Sequence, residues 1–146
     1  MSVFRDILAA VQSGCATLAP TGFSTFARRK RPHVAESDEL GLICVSPGNE
    51  VVIEQYTENI EVIEYEVIVT LVQDGNGILN VQTTDDLLDA RESIRRAFHK
   101  TSLSGVSSVY DCEVKMQRAY DPLMFGENYD ASQIYLYFKS TEAREA

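Results

Sequence analysis

The sequence predicts an α+β fold, with a mostly antiparallel sheet of about five to six strands and two main helices packed on it. Two segments place apolar residues three and four positions apart, which is typical of amphipathic helices. Several shorter segments alternate apolar and polar residues, which is typical of half-buried strands. Most of these strands follow one another without an intervening helix. The predicted order is therefore α-β-β-β-β-α-β-β, and not the regular strand and helix alternation of a doubly wound parallel sheet.

The first helix is predicted over residues 3–18, with Ser2 as its N-terminal cap. Its apolar stripe consists of Phe4, Ile7, Leu8, Val11, Cys15 and Leu18. Residues 19–22 contain Pro and Gly and end the helix. A short strand over 23–27 then leads into four consecutive basic residues, which are Arg28, Arg29, Lys30 and Arg31.

The middle of the chain predicts a hairpin followed by a long strand. Residues 40–46 and 50–56 are the two arms of the hairpin, because Pro47, Gly48 and Asn49 between them form a turn signal. The long strand covers 61–72. One of its faces is apolar throughout, whereas the other begins with Glu64 and Glu66 and becomes apolar toward its end.

The last third predicts a helix and two closing strands. The helix begins with Thr83 or Thr84 as its cap and ends near His99. Its apolar stripe consists of Leu87, Ala90, Ile94, Ala97 and Phe98. Alternation over 109–118 and 132–140 predicts the strands, with a long loop between them. We expect one domain over residues 1–146, in which 141–146 form a frayed tail.

Charge is divided along the sequence. The formal net charge of −9 argues against a general nucleic-acid binder. No Lys or Arg occurs from Pro32 to Ala90, a span that holds thirteen acidic residues, so the remainder carries +4. Two interpretations stay open. Solvated faces can simply differ in composition, or the basic patch of one copy can meet the acidic patch of the next in head-to-tail association.

Few residues suggest chemistry. Glu64 and Glu66 share a strand face and could form an acid and base pair, although exposed strand carboxylates are far more common. The three cysteines are far apart and form no C-x-x-C pair, and neither nucleotide-binding glycine motif is present. No run of 18 apolar residues occurs. We therefore expect no catalytic residue, no cofactor, no metal and no membrane partner.

Four segments together carry a resemblance to a known family. They are FRDIL at 4–8, YEVIVTLV at 65–72, LLDARESI at 87–94 and SQIYLYF at 132–138. In the order of these segments and in the length of the chain, nearly the whole sequence resembles the tail terminator (tail completion) proteins of long-tailed bacteriophages. The resemblance implies a ring, commonly a hexamer, that caps the tail tube and joins it to the head-tail connector or neck protein. It also implies a non-enzymatic subunit at the head-proximal end of the virion tail, present in the host cytoplasm during assembly.

Three sets of residues are candidates for such a role. The basic run Arg28, Arg29, Lys30 and Arg31 would form a subunit interface, and Glu64 and Glu66 would line the channel and repel DNA that passes as cargo. In the loop over 119–131, a partner would contact Met124, Phe125 and Tyr129. The open alternatives are another head-tail joining, head-closure or tube-end adaptor protein, a regulatory module that binds a small ligand, and a small hydrolase that uses Glu64 and Glu66.

Overall fold

The computed structural model describes residues 2–34, 41–57, 59–74, 81–120 and 129–143. In these ranges the chain forms two helices and five strands, which is an α+β fold as predicted. The elements are α1 (Val3–Leu18), β1 (Thr25–Arg28), β2 (Leu42–Thr57), β3 (Ile60–Asp74), α2 (Val81–Phe98), β4 (Val109–Met116) and β5 (Tyr129–Ala143).

The five strands form one sheet in the order β1-β2-β3-β5-β4. The β1–β2 pair is parallel, and the other three pairs are antiparallel. β3 lies at the centre and pairs with β5 without a register shift, from Ile60 opposite Ala143 to Asp74 opposite Tyr129. The long alternating segment of the sequence is thus the central strand of the sheet.

The predicted hairpin with a turn at 47–49 is wrong, because Leu42–Thr57 is a single strand. Its pairing with β3 shifts register between Pro47 and Glu50, which is a bulge and not a turn. Pro47 is tolerated because β1 pairs with β2 only as far as Val45, so no second strand needs its missing N–H. The chain reverses instead between Thr57 and Ile60. Three strands rather than four therefore separate the helices.

Helix and strand ends also differ from the prediction at two places. α1 has the predicted bounds, and the Ser2 hydroxyl accepts a hydrogen bond from the Arg5 N–H at 3.3 Å. α2 begins at Val81, so Thr83 lies inside it, where its carbonyl accepts from the Gln73 side chain at 2.9 Å. The 141–143 part of the predicted frayed tail belongs to β5, because β3 begins at Ile60 and provides its pairing partner. Residues 144–146 lie outside the described residues.

The hydrophobic core lies between the two helices and one face of the sheet. Its fully buried side chains include Ile7, Val11, Ile43, Val67, Val69, Leu87, Ile94, Leu136 and Phe138. Phe98 of α2 packs edge-on against Phe138 of β5 with ring centres 6.3 Å apart. Neither helix is long and apolar enough to cross a membrane, within the ranges that the structure describes.

The opposite face of the sheet carries neither α1 nor α2. At one end it buries Leu42, Cys44 and Val72, against which Ala27 and Val34 pack. Toward the other end its side chains are half-buried, including Glu64, Glu66 and Tyr137. We call this surface the helix-free face.

Candidate functional site

A basic groove of about 420 Å³ lies beside the N-terminal end of α1. Phe4 and Leu8 of α1 and Pro47 of β2 give it apolar walls. Its basic side chains are Arg5, Arg28, Arg29 and Lys30. We call it the basic groove. It contains three of the four residues predicted as a subunit interface, and the fourth, Arg31, is exposed next to them in the chain.

Backbone pairing brings the basic run to this groove. β1 ends at Arg28, and the Arg29 N–H still donates to the Val45 carbonyl at 3.0 Å, after which the chain leaves the sheet. The Arg29 guanidinium donates to the His33 carbonyl at 2.5 Å, whereas Lys30 is exposed. The run is therefore held against the sheet at one end and presents its charges to solvent.

The far end of the β2–β3 hairpin has the opposite charge. We define the hairpin end as residues 50–55 of β2 with 60 and 61 of β3. It carries Glu50, Glu54 and Glu61, and β2 and β3 contain no Lys or Arg at all. Because β1 pairs with β2 only as far as Val45, the outer edge of this part of β2 has no strand beside it among the described residues.

The hairpin end is also apolar. Four of its large hydrophobic side chains are exposed, and their exposed fractions are 50% for Val51, 55% for Val52, 39% for Ile53 and 40% for Ile60. Three of them are consecutive, so they project on both faces of the strand. An exposed apolar edge strand is a ready pairing or docking surface in a soluble protein.

Glu64 and Glu66, the predicted channel residues, lie on the helix-free face and are half-buried. A Glu66 carboxylate oxygen accepts from the Asn49 N–H at 3.3 Å. Burial, followed by the hydrogen bond to Glu66, raises the pKa of Tyr137 to about 12. Lys115 lies over the Tyr137 ring at 4.9 Å, so this face has both signs of charge.

The structure describes only the two ends of the predicted partner loop, and the loop prediction is wrong at 129–131, which belong to β5 and pair with β3. Met124 and Phe125 lie outside the described residues. Tyr129 begins β5, where its backbone pairs with Asp74, and its side chain is likewise not described.

A buried arginine that the sequence analysis did not single out holds both ends of this β4–β5 connection. Arg91 of α2 is 6% exposed and donates to the Ser132 hydroxyl and to the Gln117 carbonyl. It also lies 3.4 Å from the carbonyl oxygens of Arg118 and Gln133. Burial lowers the pKa of its guanidinium. The signal was present, because positions 87, 91, 94 and 98 share one helical stripe.

The described residues contain no group of three or more His, Cys, Asp or Glu placed to hold a metal ion. Burial raises the pKa of Cys15 and of Cys112 to about 12, which keeps both thiols protonated. A larger open groove of about 730 Å³, between α1 and the segment after α2, has Asp6 as its one titratable side chain. Its other polar side chains are the hydroxyls of Ser13, Thr17, Ser102 and Ser104.

Comparison with known proteins identifies a similar fold. No protein-family model matches the chain, and no curated protein matches it at a significant level. Among solved structures, the chain is similar to one described as "Virion of native gene transfer agent (GTA) particle". The TM-score is 0.53 at 14% sequence identity, and the match covers 98% of both chains. The whole domain therefore has the architecture of a chain found in a virion particle.

Proposed function

We propose that this protein is a structural subunit of a phage-like virion and acts as a tail terminator. In this role it forms a ring that caps the tail tube and joins it to the head-tail connector or neck protein. The observation that carries the proposal is the fold, which matches a chain of a gene transfer agent virion over 98% of both chains. The resemblance of the sequence to tail terminators supports the finer role.

Surface chemistry supports assembly from identical copies. A ring needs two different surfaces on each subunit, one of which meets the other on the next copy. The basic groove and the acidic hairpin end are two such surfaces with opposite charge. The subunit would thus be self-complementary in a head-to-tail sense.

The helix-free face is the candidate for the channel lining. It carries Glu64 and Glu66, whose carboxylates repel phosphate, so that DNA passes as cargo and is not gripped. Lys115 and Lys139 on neighbouring strands reduce the net charge there. The role requires positioning and repulsion and no reaction.

Electron microscopy and native mass spectrometry of the purified protein test this proposal. We expect closed rings with a central hole, and we expect the protein to bind the ends of isolated tail tubes and stop their growth. Reversing Arg28, Arg29, Lys30 and Arg31 to Glu should prevent ring closure and leave the circular dichroism spectrum unchanged. Reversal of two charges on α2, Arg95→Glu with Arg96→Glu, should not prevent it, whereas reversal of two charges in the groove, Arg28→Glu with Lys30→Glu, should. A monomer that neither forms rings nor binds tubes would contradict the proposal.

Another head-tail joining or head-closure protein is the second candidate. The fold match to a chain of a virion particle supports this role as well as the first. The two roles differ in partner. Binding to the connector in the absence of tubes, together with no binding to tube ends, would favour the second candidate.

A further inference from the structure

We propose that the hairpin end of one copy docks in the basic groove of a neighbouring copy. The inference rests on the proposed function, which requires copies of this chain to associate, and it names the two surfaces that meet. One surface combines acidic and apolar residues, and the other combines basic and apolar residues.

Charge is the first match between them. Arg28 and Lys30 of the groove are exposed, and so are Glu50 and Glu54 of the hairpin end. Opposite charges on two surfaces steer their encounter and fix their register, and the attraction acts over roughly 8–10 Å at ordinary salt. Each surface carries several charges of one sign, so their effects add.

Apolar area is the second match. Val51, Val52 and Ile53 are exposed on an edge strand that contains no Lys and that has no neighbouring strand on its outer side among the described residues. The groove offers Phe4, Leu8 and Pro47 between its basic side chains. Seating Val52 there would remove part of this exposed apolar edge from water, and covering an edge is a usual remedy for it.

Val52 and Ile53 of the hairpin end lie further along β2 than the groove of their own chain. Pro47 lines the groove, and β2 continues away from it toward residues 50–55. At about 3.3 Å per residue, Ile53 lies roughly 15–20 Å further along the strand. The occupant of the groove is therefore a second copy.

A charge-swap experiment tests the pairing. One variant has an acidic groove, Arg28→Glu with Lys30→Glu, and the other has a basic hairpin end, Glu50→Arg with Glu54→Arg. In sedimentation velocity at low salt, each variant alone should need at least tenfold more protein than the unchanged chain for half-maximal assembly. An equimolar mixture should assemble like the unchanged chain, because every groove then meets a hairpin end of opposite charge. Circular dichroism checks that both variants are folded.

An apolar substitution tests the same contact without a change of charge. Val52→Ser should weaken assembly severalfold, whereas Leu88→Ser, at a position of α2 that is 46% exposed, should not. Equal effects of these two substitutions would overturn the seating of the hairpin end in the groove. Assembly of either charge variant at the unchanged concentration would overturn it as well, as would a mixture that does not recover.

The outcomes separate this inference from the proposed function. If the mixture of the two variants recovers assembly but forms only closed dimers, the docking would be supported and the proposed ring would be contradicted. Rings that are insensitive to all four charge substitutions would support the ring and overturn the docking. An unchanged chain that remains monomeric at every concentration would overturn the docking, and binding to tail tubes would then decide the proposed function on its own.

Discussion

Replacing Arg91 with methionine should destabilise the fold although it removes a charge from the interior. Methionine has a stem of similar length and preserves most of the packing of α2 against β4 and β5. It donates no hydrogen bond, however, so the acceptors that now face the guanidinium lose their partner. A buried acceptor without a partner costs more than the hydrogen bond contributed.

The size of the effect follows from which acceptors water can reach. Gln117 and Arg118 are exposed, so water replaces the arginine at their carbonyl oxygens. Ser132 is fully buried and Gln133 is half-buried. Water therefore does not replace the arginine at the Ser132 hydroxyl or at the Gln133 carbonyl. Two lost partners at about 1–1.5 kcal/mol each give about 2–3 kcal/mol in the free energy of unfolding. For a domain of this size, that lowers the melting temperature by about 6–12 °C.

Urea denaturation followed by circular dichroism measures this loss. Arg96→Met is the matched control, because Arg96 lies on the same helix with an exposed side chain paired only locally with Glu92. The control should change stability by no more than about 0.5 kcal/mol. Arg91→Lys should be intermediate, since one ammonium cannot reach all four acceptors. If Arg91→Met were as stable as Arg96→Met, the argument from unsatisfied acceptors would be wrong.

Two further predictions concern pH and backbone. The pKa of Tyr137 is raised from 10 to about 12, so its protonated form stabilises the fold below pH 10, and this contribution is lost as the pH rises from 10 to 12. Tyr137→Phe should flatten the fall of stability in that window, and an unchanged slope in alkaline urea titrations would contradict this. Gly41→Ala should cost about 1–3 kcal/mol more than Gly105→Ala in the same measurement. Both glycines have φ near +90°, but only at Gly41 would the added Cβ meet a backbone atom, the Gly22 carbonyl oxygen, so equal losses would refute the close approach.

Periodicity predicted most of the fold, because it reports directly on which side chains are buried. The bounds of α1 and the presence of the long strand β3 follow from spacings of three to four and of two residues. The predicted turn at Pro47 and Gly48 was wrong because these residue types occur both in turns and in bulges on edge strands. Which one forms depends on pairing with β3, a contact that local sequence does not contain.

The candidate surfaces could be predicted only in part. The basic run and the acidic span were visible in the sequence, since charge requires no tertiary information. The groove was not visible in the sequence, because Phe4 and Pro47 come from different elements and meet the basic run only after folding. The burial of Arg91 was not predicted either, although its spacing from Leu87 and Ile94 places it on the buried stripe.

The ladder between β3 and β5 has a mechanical consequence. Its fifteen residue pairs run in register from one end of the sheet to the other. A pull along the strand axis would load these hydrogen bonds together, so that rupture would require many to break at once rather than one after another. A subunit built on such a ladder would transmit tension along its central strands without unzipping.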